Sequence, residues 1–129
     1  MTKVHLDTCF LICALTPGSA EDKALRGWLG RRVPVAISAI AWAEFLCGPL
    51  TAPDLATART LAGSPLPFGE PHADVAARLF NQGGRRRGSF VDCLIAAAAI
   101  TDRATLATSN PEDFRGFVGS GLEIADQNV

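Results

Sequence analysis

Val4-His5-Leu6-Asp7-Thr8-Cys9-Phe10-Leu11-Ile12-Cys13-Ala14-Leu15 is the stretch that sets the fold class of this chain. Its first residues have the make-up of a short buried strand, and no turn signal follows until Thr16-Pro17-Gly18. The pattern predicts a strand over 4–6 running into a helix that reaches Leu15, capped by Asp7 or Thr8. Asp7 is the only acid between Val4 and Ala20. An ionised carboxylate among so many apolar neighbours is costly unless it is paired, hydrogen-bonded or bound to a metal.

Two further stretches repeat that anomaly. Glu44 is the only charged residue between Val33 and Pro53, and Asp92 the only one between Gly88 and Thr101. The basic residues collect elsewhere, at Arg31-Arg32 and Arg85-Arg86-Arg87. Taken singly, each acid has an ordinary explanation. Asp7 can cap a helix, Glu44 can face water, and Asp92 suits the positive end of a helix dipole. Taken together, the three point to one cleft. Convergent carboxylates repel and raise one another's pKa unless a divalent cation neutralises them. Ligands that are all oxygen favour Mg²⁺ or Mn²⁺ over zinc. Such an ion, with open positions, activates water and stabilises the oxygens of a phosphodiester in in-line displacement.

Outward from the opening stretch, strands and helices alternate. A helix is expected over 20–29 and a strand over 33–37, the latter short or late to begin because of Pro34. Ser38 should cap a helix over 39–47 that stops at Gly48-Pro49. Pro53 opens another helix to Leu61, and Leu66-Pro67-Phe68 is at most a short edge strand. Pro71 starts a helix that ends in a flexible basic loop, Gly83-Gly84-Arg85-Arg86-Arg87-Gly88. Ser89 is expected to cap the helix 90–101, which is apolar almost all round and therefore central and buried. A strand over 105–108, the turn Asn110-Pro111-Glu112-Asp113-Phe114 with one helical turn, a strand over 122–125 and a polar tail complete the chain. This order implies one α/β domain over residues 1–129 with a mostly parallel sheet. Sites in such folds form at the carboxyl ends of strands, near the point where strand order reverses. Asp7 and Asn110 both fall just past a strand's carboxyl end.

Composition removes other classes. With 12 basic and 13 acidic residues the net charge is -1, so any basic surface for nucleic acid has to be local. No apolar run is long enough to span a bilayer. Lys3 before a hydrophobic segment resembles a signal peptide, but Asp7 interrupts that segment and no small-x-small site follows. A cytoplasmic location is the expectation. Cys9, Cys13, Cys47 and Cys93 lie in apolar segments and are expected to be buried free thiols. Without Cys-x-x-Cys pairs, and with His5 and His72 apart in sequence, no structural zinc site is expected. Phosphate-cradling Gly-x4-Gly-Lys and Gly-x-Gly-x-x-Gly loops are missing, as is Cys-x5-Arg. Asp7 also lacks the second Asp two residues on that phosphatases of the haloacid dehalogenase type carry.

The three acid segments and one more resemble a known family. Leu6-Asp7-Thr8-Cys9-Phe10-Leu11-Ile12 resembles the opening motif of PIN-domain nucleases, a strand-end Asp-Thr followed by an apolar helix. Ala43-Glu44-Phe45-Leu46-Cys47-Gly48 is similar to their second motif. Asp92-Cys93-Leu94-Ile95-Ala96-Ala97-Ala98-Ala99 is similar to their third, and Thr108-Ser109-Asn110-Pro111-Glu112-Asp113-Phe114 to their fourth. Order, spacing and length agree over essentially the whole chain, and within PIN domains the likeness is greatest to the VapC toxins of type II toxin–antitoxin pairs.

The resemblance implies a three-layer α/β/α sandwich around a mostly parallel, roughly five-stranded sheet. It implies an endoribonuclease that uses Mg²⁺, with Mn²⁺ able to substitute. Asp7, Glu44, Asp92 and Asp113 would be its catalytic acids, with Asp7, Asp92 and Glu44 as metal ligands. Thr8, Cys9, Thr108 and Asn110 would support them. The family usually has Asn at the position of Cys9, and an acid at that of Asn110 or Asp113. Implied partners are an RNA substrate, a VapB-like antitoxin and a second copy of the chain, with no membrane involved. Arg85, Arg86 and Arg87 could grip an RNA backbone just before Asp92, or simply form a solvated loop. The competing expectation is a PIN-fold module that binds RNA or protein with little or no turnover.

Overall fold

Val4, His5 and Leu6 form β1 (Val4–Leu6), and all three are buried. Successive side chains of a strand point to opposite faces, so layers must cover both sides of β1. The computed structural model, which describes residues 2–126, supplies those layers; the polar tail beyond lies outside the described residues. β1 sits inside a four-stranded, all-parallel sheet of order β2-β1-β3-β4, with β2 (Val35–Ile37), β3 (Thr105–Ala107) and β4 (Glu123–Ile124). Leu6 pairs in register with Ile37 on one side and Ala107 on the other.

Among the described residues, seven helices surround the sheet: α1 (Thr8–Ala14), α2 (Ala20–Gly30), α3 (Ala39–Cys47), α4 (Ala52–Ala62), α5 (Glu70–Gln82), α6 (Phe90–Thr101) and α7 (Pro111–Phe114). Local signals explain most boundaries. The Ser38 hydroxyl accepts from the Ala41 amide at 3.2 Å and starts α3, and Thr51 caps α4 in the same way. β2 begins after Pro34, whose carbonyl accepts from the Val4 amide at 2.8 Å. Phe10 stacks on Trp28 with ring centroids 5.6 Å apart, joining α1 to α2 in the core. Such a contact contributes about 0.5–1.5 kcal/mol beyond simple burial.

Four expectations change. Among the described residues the sheet has four strands rather than roughly five. Leu66 only bridges the β2 edge at Ser38, donating to the Ile37 carbonyl and accepting from Ala39, both at 2.8 Å. Pro65 and Pro67 flank it and lack the N–H groups a ladder needs, so the pairing stops at one residue. Ser89 stands at the N-cap position of α6, but its side chain makes no capping bond. The chain enters that helix through a 3₁₀ turn at Arg87–Ser89, and the Ser89 hydroxyl donates instead to the Arg86 carbonyl at 2.7 Å.

α6 is central, with Cys93 and Ile95 to Ala99 buried, but its first residues Phe90 and Val91 are exposed. Of the four cysteines only Cys93 is buried; Cys9 and Cys47 are exposed and Cys13 lies between. α1 and α3 turn Phe10, Leu11 and Ala14, or Ala41, Trp42 and Phe45, to the core, which leaves Cys9 and Cys47 on their outer faces.

From β1 the chain builds β2 on one side and β3 with β4 on the other. The crevice between the carboxyl ends of β1 and β3 is therefore the switch point, and Asp7 and Thr108 are the residues that follow those two strands. Among the described residues, no helix is long and apolar enough to cross a membrane.

Candidate active site

Asp7 is only 3% exposed, and its backbone amide donates to the Ala107 carbonyl at 3.0 Å. Its carboxylate caps α1 by accepting from the Phe10 amide at 2.7 Å, which settles the cap between Asp7 and Thr8. The Thr108 side chain hydrogen-bonds the same carboxylate. Burial pushes the Asp7 carboxyl up, the hydrogen bonds from Thr108 and Phe10 pull it down, and the charges of Glu44 and Asp113 push it up again. The outcome is a pKa above the ordinary carboxylate value.

Thr8, freed from capping, reaches sideways. Its hydroxyl donates to Oε1 of Glu44 at 2.8 Å and lies 3.1 Å from the Ala41 carbonyl. The first residue of α1 thus fixes the one acid of α3 beside Asp7. Asp92 stands in the first turn of α6, where the helix dipole favours an anion. Even so, its carboxyl is pushed up to about 6, first by burial and then by the charges of Asp113, Glu44 and Asp7. Asp113 enters from α7, and its amide donates to the Asn110 carbonyl at 3.0 Å. Asn110 contributes through its backbone: its amide donates to the Thr108 hydroxyl at 3.0 Å, while its side chain makes no capping bond. Thr108 consequently links the α7 turn to Asp7. The Cys9 thiol faces the same field, pushed up by burial and then by Asp7, Cys13, Glu44 and Asp113.

The structure therefore brings Asp7, Glu44 and Asp113, from three other segments, within electrostatic reach of Asp92. Asp92 and Asp113 line a cavity of about 640 Å³ together with Arg86, Gln82, Glu112 and Phe117. The basic loop does not act as one cluster. Arg86 lines this cavity, whereas Arg85 and Arg87 line a different hollow. Arg85 adopts a left-handed backbone, φ 59°, and the 3₁₀ turn follows at once, so neighbouring side chains leave in different directions.

Three contributors to the cavity, Glu112, Gln82 and Ser120, escaped the sequence reading. Glu112 lies beside Asp113 but is ion-paired with Arg115, and the three-residue spacing on a helix was the available signal. The Ser120 hydroxyl donates to Gln82 at 3.2 Å across the rim, a contact between residues far apart in sequence that no local pattern announces.

Among the described residues, no three His, Cys, Asp or Glu side chains are arranged as a ready-made metal group. The donor chemistry nevertheless suits Mg²⁺. That ion takes one or two carboxylates and completes its shell with waters and substrate phosphates, and does not need an all-protein cage. Asp7 and Asp92, raised by burial and then by the charges of neighbouring acids, supply such oxygens, with charge for a cation to neutralise.

Comparison with known proteins extends the geometry. The PIN domain family matches residues 4–117. Among solved structures, the chain resembles VapBC2 from Rickettsia felis bound to a DNA fragment from its promoter, at 22% identity and a TM-score of 0.76, over 95% of this chain and 97% of that one. DNA-bound VapBC from Salmonella typhimurium matches at 20% identity and a TM-score of 0.76, covering 98% and 99%. VapBC-5 from Mycobacterium tuberculosis, described as a member of the VapBC family of toxin–antitoxin systems, matches at 29% identity and 0.64, covering 96% and 98%. No curated protein matches by sequence. With four acid-bearing segments in order and a match over nearly its whole length, the chain belongs to the PIN-domain family.

Proposed function

We propose that this chain is a Mg²⁺-dependent endoribonuclease and the toxin of a VapBC-type pair. One observation carries the reading: Asp92 feels the charges of Asp113, Glu44 and Asp7, brought together from four segments, and shares a cavity with Asp113 and Arg86. The likeness to VapBC complexes supports a VapB-like antitoxin as partner, and the family resemblance adds that its tail would enter the acidic cleft. The family resemblance adds a homodimer and, in place of Mg²⁺, tolerance of Mn²⁺.

Asp7 and Asp92 would hold the cation, and Glu44 would complete its ligation or orient water. When bound, the ion neutralises the acids, activates water and takes charge that develops on the phosphate. The chain's own residues prepare that step. Thr108 and the Phe10 amide hold the Asp7 carboxylate in one orientation. Thr8 bonds Glu44, which would accept the proton of the attacking water as its oxygen bonds to phosphorus and the bond to the leaving nucleotide breaks. Arg86, on the cavity wall, would bind the RNA backbone, and Asp113 or Asn110 would hold a water or a second ion.

The competing reading is a PIN-fold binding module without turnover. It draws on Cys9, at the position where the family carries Asn, and on the lack of a ready-made three-acid group. Incubating purified protein with single-stranded RNA, after chelation and then with Mg²⁺ restored, separates the two. Cleavage that stops with chelator and returns with Mg²⁺ supports the nuclease; no cleavage in either condition supports the module.

A further inference from the structure

The hollow on the other side of the basic loop has no part in the acid cluster. It measures about 560 Å³ and is lined by Phe80, Arg85, Arg87 and Phe90. Phe90 is 45% exposed, although it opens the most buried helix of the molecule. The two phenyl rings meet edge to face, with centroids 5.4 Å apart and planes at 88°. An edge-to-face pair uses one face of one ring, so aromatic surface is left open beside two guanidinium groups. Among the described residues, neither Arg85 nor Arg87 has an ion-pair partner, and no carboxylate lines the hollow.

We propose that this hollow is a base-stacking subsite for single-stranded RNA adjoining the acidic cleft, with Phe90 as the stacking ring and Arg85 and Arg87 as phosphate grips. The inference rests on the nuclease reading above and adds the strand's path and its single-stranded character. Aromatic rings beside unpaired cations are what an unstacked base and its phosphate require, and stacking of this kind accepts any base. Phe90 lies two residues before Asp92 on the same helix, about 3 Å along its axis but about 200° around it. A strand reaching both hollow and cleft therefore passes around the start of α6. Arg86, between Arg85 and Arg87 in sequence, faces the cleft itself. A chain laid across the loop meets cations on both sides of it. A second copy of this protein fits less well, because a two-fold contact would press the hollow against itself and gather four guanidinium groups with no acid among them.

The test is the rate of cleavage of short unstructured RNAs in Mg²⁺, with an abasic residue placed in turn at each position flanking the cut. Phe90→Leu keeps apolar bulk at an exposed site and should fold as the wild type does. It is expected to lower kcat/KM about fivefold or more, mainly through KM, and Phe90→Trp should restore it. One abasic position should cost the wild type a similar factor and cost Phe90→Leu nothing further. Arg85→Ala with Arg87→Ala should flatten the salt dependence of KM by a slope of roughly 1.4, two single-strand phosphate contacts' worth.

Undiminished cleavage by Phe90→Leu, or a response to every abasic position identical to the wild type's, would overturn the subsite and leave the nuclease reading standing. So would a Phe90→Leu defect confined to self-association or to capture of an acidic protein tail. Failure of the wild type itself to cut any RNA would instead remove the nuclease reading, and the subsite with it.

Discussion

The two ends of α6 carry acids in opposite situations. Asp102 is the C-cap, where the helix dipole opposes a negative charge, yet its carboxyl is held below the usual range. Burial would raise it, but hydrogen bonds from His5 and Lys3 outweigh that: His5 Nε2 lies 2.7 Å and Lys3 Nζ 2.9 Å from Oδ2. Asp92, in the first turn, has the dipole in its favour and is nevertheless pushed up to about 6. Partners, more than the dipole, set the charge of an acid here. A structural carboxylate comes with its own cations. Among the described residues Asp7 and Asp92 have no ion-pair partner and lie within the field of other acids, the arrangement suited to a cation from outside.

The largest expected effect separates the two ends by activity. Asp7→Asn or Asp92→Asn should lower RNA cleavage by roughly a hundredfold or more while circular dichroism shows an intact fold. Full activity in purified Asp92→Asn would make that acid an ordinary first-turn residue.

The other end should respond in stability. The low pKa of Asp102 means an ionised, accept-only carboxylate, so Nε2 of His5 carries the proton between them. Asp102→Ala would leave that N–H, on a side chain only 2% exposed, without its acceptor. The cost should be about 1–3 kcal/mol, seen as a melting temperature lower by roughly 5–10 °C. Cleavage per folded molecule should stay near wild type. An unchanged melting temperature would show that the His5–Asp102 pair contributes no net stability.

A smaller effect tests the strain at Asp92 itself. Its folded pKa is raised from 3.8 to about 6, so the folded state penalises the ionised form. That penalty is fully present above pH 6 and fades as pH falls from 6 towards 4, where both states become protonated. Without metal, Asp92→Asn should therefore stabilise the protein at pH 7.5 by about 1–2 kcal/mol after allowance for solvent screening, and by almost nothing near pH 4. Thermal unfolding across that range checks the sign. A substitution that destabilises at pH 7.5 would contradict it.

Much of this arrangement was legible in the residues, for identifiable reasons. A lone charge in an apolar segment is a strong signal, and it marked Asp7, Glu44 and Asp92 before any coordinates. Asp113 stands among polar neighbours and could be singled out only by family resemblance; the charges that couple it to Asp92 are a tertiary fact. The β2 start and the Ser38 cap followed from local chemistry, because Pro34 and Ser38 act on their immediate neighbours. Ser89 misled because its role depends on how the chain arrives, and the 3₁₀ turn sends its hydroxyl back to Arg86. Leu66 had its limit written beside it in two prolines. Phe90, Cys9 and Cys47 show the reverse problem. Apolar composition does not say which angle of a helix meets the core, so their exposure had to come from packing.

The central claim is that the strand-end acids await a divalent cation, and the melting temperature of chelated wild type at pH 7.5, with and without added Mg²⁺, tests it most directly. At about ten times its dissociation constant, Mg²⁺ should stabilise the wild type by about 1.4 kcal/mol. Asp92→Asn, more stable than wild type without the ion, should gain little from it. A wild-type melting temperature indifferent to Mg²⁺ would contradict the claim.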